Sequence, residues 1–128
     1  MDFNYAGELL KLCEETKLPI SEVMKRREMD FSSMTAQEVE EKMRKSLEIM
    51  KTAAKEPLEN EKPSMGGLIG GEAKLLFSQK GKEKDICGDV VLKAITYAMA
   101  VLEVNASMGV IVAAPTAGSA GVIPGVFL

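Results

Sequence analysis

Three stretches of this chain hold residue types able to bind a small polar molecule. The first, 64–74, reads "SMGGLIGGEAK", two glycine pairs around two apolar residues. The second, 105–109, reads "NASMG", and the third, 115–121, reads "PTAGSAG". Glycine lets a backbone approach a ligand closely and present successive N–H groups. Ser64, Thr116 and Ser119 add hydroxyls, and the Asn105 carboxamide both donates and accepts. Such a set suits a small anion such as an amino-acid carboxylate, above all where a helix starts. Each stretch alone is also what a tight turn, a close helix crossing or a helix start requires. The first stretch lacks the G-K-[ST] ending of a phosphate loop, and the chain has no G-x-G-x-x-G. Lys74 has the chemistry of a Schiff-base lysine for a pyridoxal-phosphate lyase, but no phosphate-cradling pattern accompanies it, which favours an ordinary surface lysine.

Composition narrows the remaining chemistry. The chain has no His, so the commonest general base and transition-metal ligand is missing. Cys13 and Cys87 are too far apart in sequence for a metal-binding spacing or a disulfide framework and read as small buried hydrophobes; no metal site is predicted. A formal net charge of -3 argues against nucleic acid as a partner. The run Lys25, Arg26, Arg27 is short, is followed by Glu28, and reads as a solvated helix face. The N-terminal "MDFNYAGELL" has neither a basic region nor a long apolar core, and a cytoplasmic protein is expected. Residues 104–128 are uncharged, yet Asn105, Ser107, Thr116, Ser119, two prolines and four glycines exclude a membrane span. The segment reads as buried within protein, with more polypeptide expected beside or beyond it.

The elements that must position these stretches are mostly helices. With 128 residues there is room for one domain with a core. Residues 5–15 carry a broad apolar face, and Pro19 is expected at the first position of a helix to about Glu28. Thr35 and Glu38 form a capping box. The following helix has Val39, Met43, Leu47, Met50 and Ala54 at helical spacing and is expected to end at Pro57. A polar loop leads to a short helix over 72–80 capped by Gly81. A charged turn at 82–85 then precedes a strong helix over 89–104. Val110, Ile111 and Val112 favour a short strand near 109–113, with a buried helical turn as the other reading. The fold class expected is mainly α, with glycine-rich loops.

Taken together, "SMGGLIGGEAKL", "EVNASMGVIVAAPTAGSAGVIPGV" and, less specifically, "PISEVMKRREM" resemble the alpha chain of the iron–sulfur-dependent L-serine dehydratases. The resemblance covers nearly the whole chain. It implies a largely helical catalytic domain, of which 1–128 is the N-terminal portion. It also implies conversion of L-serine to pyruvate and ammonia, with a [4Fe–4S] cluster as the Lewis acid of the complete enzyme. By the same resemblance, Ser64, Gly66, Gly67, Gly70 and Gly71 match a first substrate loop. Asn105, Ser107 and Met108 match a second, and Pro115, Thr116, Gly118 and Ser119 a third. The partners implied are L-serine, a beta chain and the rest of the alpha chain. One departure is marked: Cys13 and Cys87 match none of the family's cluster cysteines, so no cluster is expected on this chain alone, and the chain alone is expected to be inactive. The alternatives are a cysteine desulfidase of the same superfamily and a non-catalytic helical module docking through its apolar C-terminal segment.

Overall fold

The computed structural model describes residues 2–81 and 87–128; the charged turn expected at 82–85 lies outside them. The helices are α1 Ala6–Thr16, α2 Ile20–Ser32, α3 Ala36–Glu59, α4 Glu72–Phe77, α5 Asp89–Ala106 and α6 Val122–Phe127, with a 3-10 turn at Ala117–Ser119. The chain divides into two compact units, Met1–Lys45 and Ser46–Leu128, and the boundary falls inside α3. The mainly α reading holds, and no strand occurs among the described residues.

In the first unit α1 packs on α2. Pro19 sits at the N-cap of α2, one position before the expected N1. There its carbonyl accepts from the amides of Glu22 and Val23, and its missing N–H costs nothing. The helix continues past Glu28 to Ser32 and closes where Ser33 turns left-handed at φ 53°. Val23 is fully buried. Lys25 bonds Glu40 across to the start of α3, which holds Glu40 below the usual carboxylate range and Lys25 above the usual ammonium range.

The capping box at α3 is present in both directions. The Glu38 amide donates to Thr35 Oγ1 at 3.3 Å, and the Thr35 amide donates to Glu38 Oε2 at 2.8 Å. The Thr35 amide, together with the Thr35 hydroxyl donating to Glu38 Oε2 at 2.8 Å, holds the Glu38 carboxyl below its ordinary range. A depressed carboxyl stabilises the fold above its unfolded pKa, and that stability is lost as pH falls through the folded value. Thr35→Ala removes the cap oxygen that accepts from the Glu38 amide and is expected to destabilise the chain by about 1 kcal/mol at neutral pH. Only the part owed to the Thr35 hydroxyl donating to the Glu38 carboxylate should fade on acidification, since the Thr35 amide bond survives the substitution, as urea unfolding at neutral and acid pH would measure.

One expectation fails at α3. Pro57 does not end the helix, which runs to Glu59 with the Asn60 amide still bonded to the Glu56 carbonyl at 2.9 Å. The ring forfeits one bond within the last turns, and the chain tolerates it there. The apolar stripe of α3 is buried only toward the ends: Val39 in the first unit, Ala53 and Ala54 in the second, while Met43 is 68% exposed.

The second unit is organised by α5. Tyr97, Val101 and Val104 form its core with Ala53, Ala54 and Ala120, and Leu58, Ile111 and Leu128 pack around them. The expected strand at 109–113 is irregular chain instead. Branched residues favour extension, but a strand needs a partner edge, and none of the described residues provides one. Helix α4 stops at Phe77, and turns continue to Gly81 at φ 74°. A second apolar stripe on α5, formed by Val91, Ile95 and Leu102, stays exposed.

Candidate functional site

The three glycine-bearing stretches all rest on α5. The 64–71 turn sits at its C-terminal end, where the Met65 amide reaches the Ala106 carbonyl at 3.4 Å. The turn is closed by Ser64. Its amide donates to the Ile69 carbonyl at 2.8 Å, its carbonyl accepts from the Gly67 amide at 2.9 Å, and its Oγ accepts from the Ile69 amide at 3.1 Å. The Ser64 hydroxyl therefore keeps its own hydrogen to donate.

At the far end of the turn, protein carboxylates take the backbone donors. The Gly70 amide donates to Glu72 Oε2 at 2.7 Å. The Gly71 and Ala73 amides donate to Glu103 Oε2 and Oε1, at 3.2 and 2.7 Å. Bonds from its own amide and from Gly70 hold Glu72 below the usual carboxylate range. Among the described residues the amides of Gly66 and Leu68 have no protein acceptor, and both residues are exposed. Of the expected glycines, Gly70 and Gly71 thus shape the turn, while Gly66 presents a free donor and Gly67 closes the turn.

The second stretch is the end of α5 itself. Asn105 and Ser107 are half-buried. Ser107 Oγ donates to the Val104 carbonyl at 3.1 Å, which spends its proton locally. The Asn105 carboxamide has no partner among the described residues. Met108, at φ 62°, turns the chain away, and the Gly109 amide returns to the Val104 carbonyl at 2.8 Å.

The third stretch lies against the middle of α5. A Cβ at Gly121 would fall 2.6 Å from the Ala98 carbonyl oxygen, and one at Gly125 2.8 Å from that of Ala94. Pro115 follows a cis peptide bond and is exposed, as are Thr116 and Gly118. The hydroxyls here are largely self-satisfied. The Thr116 amide donates to Ser119 Oγ at 3.2 Å, and Ser119 Oγ donates to the Ala114 carbonyl at 3.0 Å. Lys74 pairs with Glu61 at 2.9 Å, as a surface lysine would.

The residue against this turn that is absent from the expected set is Glu103, only 3% exposed. A signal existed: it is the single charged residue after Lys93. A shallow cleft of about 350 Å³ in the first unit, lined by Asp2, Phe3, Asn4, Glu8, Lys11, Leu12 and Glu15, includes none of the expected site residues.

The arrangement of these stretches can be set against known proteins. The family model described as "Serine dehydratase alpha chain" matches residues 15–128. The chain belongs to the serine dehydratase alpha chain family. It is 39% identical over 123 residues to the "Probable L-serine dehydratase, alpha chain" of Bacillus subtilis, covering 96% of this chain and 41% of that one. It is 36% identical over 121 residues to the "L-serine dehydratase, alpha chain" of Peptoniphilus asaccharolyticus, covering 94% of this chain and again 41% of the relative. Against the "L-serine dehydratase TdcG" of Escherichia coli the identity is 33%, over 98% of this chain and 28% of the relative. This alpha-chain family member thus spans well under half the length of each of these relatives. No solved structure matches it.

A [4Fe–4S] cluster, as the family resemblance implies, does not fit the residues present. Such a cluster needs three or four thiolates. The chain has two cysteines, one in each unit. No group of three or more His, Cys, Asp or Glu residues among those described can hold a metal ion. No helix among the described residues is long and apolar enough to cross a membrane.

Proposed function

We propose that this chain supplies substrate-binding loops of an L-serine ammonia-lyase. The overall reaction removes the α-proton and β-hydroxyl of L-serine to give 2-aminoacrylate. Tautomerisation and hydrolysis then yield pyruvate and ammonia, and the water lost is the water regained. The observation that carries the reading is the convergence of all three family stretches on α5, with open donors left at Ser64 Oγ, the Gly66 and Leu68 amides and the Asn105 carboxamide.

In this reading the substrate carboxylate lies on Gly66, Leu68 and Ser64. The ammonium group lies toward the C-terminal end of α5, where the helix dipole favours a cation. Asn105 orients the bound amino acid by donating and accepting together. Gly67, Gly70, Gly71, Ser107, Pro115, Thr116 and Ser119 hold the surrounding loops in shape.

Any cluster of the complete enzyme takes its cysteines from polypeptide outside this chain, and no step is assigned to it here. The remaining alpha-chain polypeptide and a beta chain are the proposed partners. The exposed Val91, Ile95 and Leu102 stripe on α5 supports burial against such polypeptide. The chain alone is proposed to be inactive, and the assembled enzyme to be cytoplasmic.

Nitrogen-15 NMR of the chain titrated with L-serine tests the binding role. Shifts are expected at the Gly66 and Leu68 amides and the Asn105 side chain. Shifts confined to the first unit, or none at all, would contradict it.

A further inference from the structure

Glu103 is a buried carboxyl with no cation paired to it among the described residues: Lys74 pairs with Glu61, Lys93 donates to the Leu128 carbonyl, and the side chain hydrogen-bonded to it is that of Glu72. Burying such a polar group is costly unless hydrogen bonds replace its water. Two backbone amides, those of Gly71 and Ala73, do so here, one on each oxygen. Bonds from N–H to a carboxylate are among the stronger ones. They join the end of α5 to the end of the glycine turn across thirty residues of sequence.

The consequence reaches the open end of that turn. With the Gly71 and Ala73 amides held by Glu103 and the Gly70 amide by Glu72, an incoming anion cannot settle on them. It is left the donors at Gly66, Leu68 and Ser64. We infer that Glu103 is a positioning residue for substrate: it fixes the 64–71 turn and sets which of its donors an amino-acid carboxylate meets. This rests on the reading that the turn binds that carboxylate. Glu103 touches no substrate in this account; it acts through the turn.

The test uses Glu103→Gln and Glu103→Asp in the full 128-residue chain, followed by nitrogen-15 NMR. In Glu103→Gln, the amide group replaces one acceptor oxygen by a donor facing another donor. Hydrogen exchange at Gly71 and Ala73 is expected to quicken at least about 10-fold, with the α5 amides around Val101 still protected. L-serine, read at the Gly66 and Leu68 amides, is expected to bind at least about 10-fold more weakly. Glu103→Asp keeps both acceptor oxygens on a shorter arm and should weaken serine less. Unchanged serine affinity in Glu103→Gln, with the wild type responding normally, would overturn the positioning role alone. No response in the wild type would instead overturn the substrate reading beneath it. Should Glu103→Gln fail to fold, Glu103→Asp decides: with α5 intact, a serine affinity equal to wild type overturns the inference, and a weakened one supports it.

Discussion

Gly121→Ala should destabilise the second unit by about 3 kcal/mol, at the upper end of the usual range for overpacking. The new methyl would sit 2.6 Å from the Ala98 carbonyl oxygen and 3.0 Å from the Ala98 Cα. Both are backbone atoms of α5, so no rotamer change relieves them. For a unit of this size the loss corresponds to a fall in melting temperature of roughly 15 °C. Trimming Ala98→Gly should not rescue the variant, because the clash is with main chain rather than with the methyl. Gly118→Ala is the control. A Cβ there meets nothing closer than Thr116 Oγ1 at 3.9 Å, and stability should stay within about 0.5 kcal/mol. Urea unfolding followed by circular dichroism measures all three. A Gly121→Ala chain as stable as the control would mean that the 115–121 segment does not lie against α5 in this way.

The second large effect is on activity. Gly70 has φ 152°, and a Cβ there would lie 3.0 Å from the Lys62 carbonyl oxygen and 3.1 Å from the Pro63 Cα. Gly70→Ala must therefore displace the turn, in a backbone conformation that side-chain-bearing residues seldom adopt. The turn is exposed, so the chain should remain folded. Its donors would nevertheless move relative to the substrate. A displacement of about 1 Å can cost roughly 100-fold in rate. Pyruvate release by the assembled enzyme carrying Gly70→Ala is expected to fall by about that factor, with the helical signal of the chain retained. Full activity in that variant would separate the turn from the chemistry.

These two glycines mark what was legible in the sequence and what was not. Helices α3 and α5 were legible because their apolar residues recur at helical spacing, and Thr35 with Glu38 gave the start of α3. Helix α6 was not, because "VIPGVF" has no periodicity; it lies on α5 because Gly121 and Gly125 allow backbone to meet backbone. The strand expected from Val110, Ile111 and Val112 failed because propensity is local and strand pairing is not. The three candidate stretches were recognisable by residue type. The division of labour within them was not. Only the hydrogen bonds separate Gly70 and Gly71, whose amides are taken by Glu72 and Glu103, from Gly66, whose amide is open. A lone Glu103 in an apolar helix has no spacing to announce it.

The central claim is that this chain serves an L-serine ammonia-lyase. Its most direct test combines the chain with the part of the Bacillus subtilis relative that lies outside the matched span and with a beta chain, reconstituted anaerobically with iron and sulfide. Pyruvate is then assayed with L-serine, and sulfide with L-cysteine. The account predicts oxygen-sensitive pyruvate release that depends on L-serine and on the presence of this chain. An assembly that forms but releases no pyruvate from L-serine, or that releases sulfide from L-cysteine instead, would contradict it.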